Sequence, residues 1–313
     1  MVATLEIVAH NSERTVRAPT ALDGDWATEP PRYSRRVRIL VTNDDGIDSI
    51  GLHVLARAMM PFGDVVIVAP DQEYSGYGAA IGSIWLMKPE VHRAHVDGID
   101  EAWSVSAAPA LCAMFGRLGA FGDIDLVVSG INPGANVGRS VYHSGTVGAC
   151  LTARNGGINS VAVSQSVDSW GVEGQAMEEV LENQQWQGAA DVATLVVEQL
   201  LADLPAHPVV VNVNVPNRQA ADMKGWKRTD VGSAPPRSMA KANLTPKVGH
   251  DGAFHVEMSW GDALQTPESD DTGAVMAGFA SVTWLGALEA VEPDAAVADR
   301  AEGALDNFFA PPG

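Results

Sequence analysis

Only two cysteines, Cys112 and Cys150, occur in 313 residues. That is too few for a disulfide framework or a zinc knuckle, and both stand among small or apolar residues at helical spacing, where inert buried thiols are the common case. Basic residues are scarce as well: 20 Lys and Arg against 39 Asp and Glu give a formal net charge of -19. Without a broad basic surface to replace counterions, a nucleic-acid polymer or an anionic membrane is excluded as a partner class. A small phosphorylated ligand stays compatible, because a metal ion and backbone amides hold a phosphate without basic side chains. No apolar run approaches the roughly 20 residues that span a bilayer. The opening MVATLEIVAHNSERTV has no basic start followed by an apolar stretch, so no secretory signal is expected and a cytoplasmic location follows. The P-loop, zinc-protease and serine-hydrolase signatures are missing too, and SGYGAA at 75–80 has two glycines of a dinucleotide fingerprint but no third.

What is present is a succession of short, continuously apolar runs. VRILV at 37–41, VVIVAP at 65–70, DLVVSGIN from Asp125 and SVAVS from Ser160 read as strands covered on both faces, and helical patterns between them favour a parallel sheet. Apolar residues at Ile50, Val54, Leu55, Ala58 and Met59 suit one face of a helix closed by Pro61 and Gly63. GTVGACLTARNGG suits a helix ending on a Gly pair. A Glu- and Gln-rich helical pattern runs over about 174–204, and VVVNVNVPN at 209–217 turns to alternation of Val with Asn. Beyond it, GWKRTDVG, GAFHVEMSW and FASVTWL look like antiparallel strands, with Trp226, Trp260 and Trp284 as apolar mass. The expected fold class is α/β: a Rossmann-like three-layer domain with a mainly parallel sheet over 35–216, and a smaller β-rich subdomain over 217–290. Residues 1–34 read as an extension, loose or packed as an arm, and 291–313 as a C-terminal tail. The stretch 166–190, with Trp170 and Trp186, suits a lid or an interface arm.

Ligands of such sheets sit beyond the carboxyl ends of the strands. Three loops qualify there: NDDG, PDQEYSG and SGINPGANVG. Asp44 and Asp45 supply carboxylates, Ser75 a hydroxyl, and Asn132 and Asn136 amide oxygens. This all-oxygen set matches Mg²⁺, Mn²⁺ or Ca²⁺ over zinc or copper. Each loop alone would read as a turn or a helix cap, because Asp, Asn and Ser favour both. Their joint placement after successive strands points to a site in which a divalent ion offsets the repulsion of two adjacent acids.

The blocks ILVTNDDGIDSIGL (39–52), VVIVAPDQEYSG (65–76), DLVVSGINPGANVG (125–138), HSGTVGA (143–149) and VNVNVP (211–216), in this order, closely resemble the SurE family of survival-protein E phosphatases or nucleotidases. The resemblance implies a Rossmann-like domain, a β-rich C-terminal portion used in forming homodimers or homotetramers, and one divalent cation per subunit. It also implies a phosphomonoesterase acting on nucleoside 5′- or 3′-monophosphates, with short polyphosphate as a further substrate. By position it puts metal ligands on Asp44, Asp45, Ser75 and Asn132, catalysis on the two acids, and phosphate or substrate binding on Asn43, Asn136, Ser144, Gly145 and Thr146. Free amides and a hydroxyl at the head of a helix opening at 144–146 suit that anion role.

Some positions depart from the pattern of bacterial members. Ala107, Ala108 and Pro109 stand where Gly-Thr-Pro is frequent, Arg139 and Ser140 where an acid pair is frequent, and Gln72, Glu73 and Tyr74 where a basic segment is frequent. These changes keep open a second reading, a nucleotide-binding or regulatory module of the same fold without turnover. Arg139 reads as a phosphate contact or a solvated surface charge. His143 reads as a leaving-group acid or a plain loop residue.

Overall fold

A computed structural model describes residues 36–83, 86, 88–167, 181–233, 239–261, 265–288, 290, 292 and 294–309. Six parallel strands form the centre of a nine-stranded sheet. They are β1 (Arg38–Thr42), β2 (Asp64–Pro70), β4 (Glu101–Val105), β5 (Leu126–Pro133), β6 (Asn159–Gln165) and β7 (Val210–Val215), with the short β3 (Val91–Arg93) antiparallel to β4 at one edge. At the other edge lie β8 (Trp226–Arg228) and β11 (Ala280–Leu285). The order is β3-β4-β2-β1-β5-β6-β7-β11-β8. The central strands are apolar and β-branched because both faces are covered, as the continuous runs require.

One face carries α1 (Ile50–Met59) and α4 (Trp186–Ala202); the other carries α2 (Pro109–Arg117) and α3 (Gly145–Asn155). The result is the three-layer α/β arrangement expected from the sequence. Leu52, Leu55 and Met59 of α1 pack into one core cluster with Ala189, Ala193 and Val197 of α4. Burial of each of the larger side chains stabilises the fold by roughly 1.5–3 kcal/mol. The face of α1 differs from the one read in the sequence: Ile50 is 61% exposed and Val54 and Ala58 are only partly buried, because Gly51, Leu52, Leu55, Ala56 and Met59 form the inward stripe. The first apolar residue of the helix therefore belongs to its outer face.

Of the helix expected over 174–204, the described residues show helix at Leu181, a break at 182–185, and α4 from Trp186 to Ala202, ahead of Pro205. Residues 168–180, with Trp170 and most of the expected lid or arm, lie outside the described residues, as does the extension through residue 35. Of the strands grouped after residue 217, only β9 (Met239–Pro246) and β10 (Phe254–Trp260) form a sheet of their own, an antiparallel hairpin. β11 joins the main sheet antiparallel to β7, and β8 pairs with β11 in parallel, not in the antiparallel sense expected. The reason is connectivity. The hairpin and the short α5 (Asp271–Met276) stand between β8 and β11, so the chain returns to the sheet by a crossover that leaves both strands running the same way. The C-terminal tail carries α6 (Ala295–Phe309), largely exposed.

From β1 the chain moves outward through β2 to β4 and then returns to β5 on the other side, so the sheet reverses its winding direction between β1 and β5. That switch point is where open α/β sheets form a crevice at the strand ends. Register aligns Thr42 with Ser129, so NDDG and the end of β5 leave the sheet side by side. β5 shifts register against β6 between Ser129 and Asn132, and Gly130, at φ +135°, lies so close that a Cβ on it would be 2.2 Å from the Val163 carbonyl. Only glycine fits there.

Candidate functional site

The two acids that follow β1 differ in their surroundings. Asp44 is buried, and its Oδ1 accepts a 2.5 Å hydrogen bond from the Thr146 hydroxyl, while its backbone carbonyl accepts from Tyr74 N–H at 2.7 Å. Thr146 is the second residue of α3. Ser144 caps that helix by accepting from Val147 N–H at 3.1 Å, and Gly145 lies against Asp44 so closely that a Cβ would be 2.7 Å from Asp44 Cβ and 2.8 Å from its Oδ2. The anion that meets the head of α3 is therefore Asp44 itself, at the positive end of the helix. Asp45 is less buried as a residue, yet its Oδ2 is cut off from solvent without a hydrogen-bond partner. Asn43 donates to the Gly46 carbonyl at 2.9 Å and leaves its Oδ1 buried and unpartnered.

Burial pushes both carboxyl groups above the usual carboxylate range. For Asp44 the hydrogen bond from Thr146 partly offsets burial and the nearby Glu73 charge adds to it. For Asp45 the charges of Asp44 and Glu73 add to burial, and the rise is larger. A close acid pair with a buried, orphaned oxygen is costly unless a cation joins it. Among the described residues no three His, Cys, Asp or Glu side chains come together as a metal cluster. A cation here would thus rest on two carboxylates and neutral oxygens, a donor set that fits a hard divalent ion.

The other residues expected at the site fall into two groups. The 72–78 loop is drawn to Asp44 through Tyr74. Within it Ser75 is exposed, with its backbone N–H donating to Glu73 Oε1 at 2.7 Å. Asn132 is in β5 itself, which extends through Pro133, and donates to the Gly134 carbonyl at 2.6 Å. It stands at the carboxyl end of the strand beside β1. Asn136 is set into the scaffold more deeply. Its N–H donates to Asn214 Oδ1 at 2.7 Å, its Nδ2 donates to Ser164 Oγ at 2.9 Å, and its carbonyl accepts from Nδ2 of Asn212 and Asn214 at 3.0 and 3.2 Å. Arg139 and His143 are both exposed, and the His143 carbonyl accepts from Gly78 N–H at 3.0 Å.

Several residues that shape the site had no role in the sequence reading. Asp271, buried at the start of α5, accepts from the N–H groups of Gly138 (3.0 Å), Gly232 (2.9 Å) and Thr272 (2.8 Å), and so ties the end of the SGINPGANVG loop to the C-terminal half of the fold. Asn212 and Asn214 are the alternating Asn residues of β7. Their signal was present, since polar side chains inside a strand buried throughout must find partners. Glu73, which stands where a basic segment is frequent, is the third negative charge felt by both acids.

Comparison with known proteins places the chain in a family. A sequence profile described as Survival protein SurE matches residues 39–237. The 5′-nucleotidase SurE of Clostridium beijerinckii is 34% identical over 237 residues, covering 75% of this chain and 87% of that protein. The 5′-nucleotidase SurE of Mannheimia succiniciproducens is 34% identical over 252 residues, covering 79% and 91%. The crystal structure of the SurE protein from Aquifex aeolicus superposes with a TM-score of 0.64 at 27% identity, covering 86% of this chain and 99% of that one. With the profile, the relatives and the fold in agreement, the chain belongs to the SurE family.

Proposed function

We propose that the chain is a divalent-cation-dependent phosphatase that hydrolyses nucleoside 5′- or 3′-monophosphates. The observation that carries this reading is the pair of buried Asp44 and half-buried Asp45 at the switch point, with Asp45 Oδ2 cut off from solvent and unpartnered. Two relatives bearing the name 5′-nucleotidase support it. Asp44, Asp45, Ser75 and Asn132 would hold one Mg²⁺, Mn²⁺ or Ca²⁺ per subunit. When bound, the cation would polarise a phosphoryl oxygen and offset the charge of the acids and the phosphate.

The chain's own residues would do the rest. Thr146 and Gly145 fix Asp44 in one orientation, by hydrogen bond on one side and close packing on the other. Asp45 Oδ2 and Asn43 Oδ1, both acceptors without donors, would accept hydrogen bonds from the attacking water, and Asp45, as the base, would take the one proton it loses while the other stays on the phosphate product. Ser144, Gly145, Thr146 and Asn136 would border the phosphate from the head of α3 and the loop after β5. In that role Asn136 acts mainly by holding its loop, given its four hydrogen bonds to Ser164, Asn212 and Asn214. The test is phosphate release from a panel of phosphate esters with and without a chelator. Release from nucleoside monophosphates that EDTA abolishes and Mg²⁺ or Mn²⁺ restores is the expected result. Full activity after exhaustive chelation, or nucleotide binding with no release, would overturn the reading.

Assembly into a homodimer or homotetramer belongs to the same proposal, and the hairpin supports it. Phe254, Val256 and Met258 alternate along β10, and their cross-strand partners Pro246, Leu244 and Ala242 complete one apolar face. Leu244, Phe254, Val256 and Met258 are all exposed in the single chain. A two-stranded ribbon with an uncovered apolar face is marginal alone, and a second copy would cover it. Light scattering that gave a monomer mass at micromolar concentration would refute this. No described helix is long and apolar enough to cross a membrane.

A further inference from the structure

Three of the chain's four tyrosines, Tyr74, Tyr77 and Tyr142, gather in the two loops that flank Asp44. Their backbones are tied to the site in sequence. Tyr74 N–H donates to the Asp44 carbonyl at 2.7 Å, Tyr77 N–H to the Tyr74 carbonyl at 3.3 Å, and Gly78 N–H to the His143 carbonyl at 3.0 Å. Gly148 of α3 leaves room for this crossing, since a Cβ on it would be 2.2 Å from the Gly78 carbonyl oxygen. The loop is thus held against the helix whose head meets Asp44. On it, the Tyr74 and Tyr77 rings meet edge to face, with centroids 5.1 Å apart and planes at 74°, a geometry that aromatic quadrupoles favour. Yet Tyr77 is 55% exposed, and Tyr142, next to His143, is 72% exposed.

Oriented aromatic faces left open beside a polar site call for a flat apolar ligand group. From Asp71 to Ser83 the chain has no Lys or Arg, and Glu73 adds negative charge, so this loop brings no positive charge to a substrate. Stacking needs no charge and works with any base. We infer that Tyr77, braced by Tyr74, is a platform on which the nucleobase of the substrate stacks, and that it sets a preference for nucleoside monophosphates over phosphate esters without a base. This inference rests on the phosphatase reading and adds the part of the substrate that the reading leaves open.

The test compares AMP with ribose 5-phosphate, which keeps the phosphate and sugar and lacks the base. The ratio of their kcat/KM values should fall about tenfold in Tyr77→Ala, through KM, and stay near the parent's in Tyr77→Phe. Tyr74→Ala should lower the same ratio by a smaller factor, because it removes only the brace. An equal fall for both esters would mean that the ring only supports the loop and would overturn the platform. So would an unchanged ratio in Tyr77→Ala, or a loss in Tyr77→Phe as large as in the alanine variant. If the parent hydrolyses neither ester, the phosphatase reading fails by itself. The ratio is then read from dissociation constants for AMP and ribose 5-phosphate by titration calorimetry, where the same tenfold change decides the platform.

Discussion

Asp45→Asn and Asp44→Asn should each lower kcat/KM for a nucleoside monophosphate by on the order of 10³-fold, about 4 kcal/mol of transition-state stabilisation. Each removes a cation ligand, and Asp45→Asn also removes the proposed base. Stability should move the other way, which separates lost chemistry from lost fold. In the cation-free protein, burial first, then the charges of Asp44 and Glu73, raise the pKa of Asp45 well above 3.8. A carboxyl group whose pKa is higher in the folded than in the unfolded state contributes stability that is full below the unfolded value and is lost as pH rises through the folded value. The parent without cation should therefore lose stability from this group as pH climbs above about 4, its unfolded value. The Asp45→Asn variant carries no such loss. Cation-free, it should melt at or above the parent's temperature at neutral pH, with the gap closing as pH falls toward 4. Added Mn²⁺ should raise the melting temperature of the parent and leave that of the variant nearly unchanged. A variant that melts well below the parent at neutral pH in EDTA would show that Asp45 is held by interactions other than a cation.

The largest loss of stability is expected from Asp271→Ala. The carboxyl group of Asp271 is fully buried and receives three backbone N–H groups, from Gly138, Gly232 and Thr272. Burial raises its pKa against the pull of these hydrogen bonds, but its oxygens accept in either protonation state. Alanine would leave up to three donors unpaired in a dry site, at about 1–3 kcal/mol each for those that find no water. We expect about 3–5 kcal/mol in total, read as a melting temperature roughly 5–10 °C lower. Asp271→Asn keeps one acceptor oxygen but turns an amide toward the Gly138 N–H, so it should fall between parent and alanine. Because Gly138 ends the loop that carries Asn136, activity well below the melting temperature should fall as well. A melting temperature within 1–2 °C of the parent's, about the effect of an ordinary surface change, would mean that water replaces the carboxylate at little cost.

The core strands and the acid pair were legible in the sequence because burial on both faces leaves no choice but continuous apolar runs, and two acids at the end of such a run stand out against it. The helix expected from GTVGACLTARNGG is α3, capped by Ser144 and ended by Gly156 and Gly157. Legibility stopped where tertiary contacts decide. The inward stripe of α1 depends on where α4 and β5 lie, and no local pattern says that Ile50 faces out. The partner of the α3 helix head, Asp44, is 102 positions away from Thr146. Asn136, Asn212 and Asn214 each read as loop or strand polarity by themselves, and only the adjacency of the β5 loop to β7 turns them into one network. Asp271, in a short helix more than 130 positions from Gly138, had no local signal of its role.

The central claim, that oxygens from the loops after β1 and β2 and from the carboxyl end of β5 hold one hard cation, is tested most directly by a crystal structure grown with Mn²⁺ and read at the manganese absorption edge. The account predicts one anomalous peak per chain, with oxygens of Asp44, Asp45, Ser75 and Asn132 either within about 2.5 Å of it or hydrogen-bonded to a water that is. No peak at the end of β1, or a peak held by other residues while Asp45 Oδ2 stays without a partner, would contradict it.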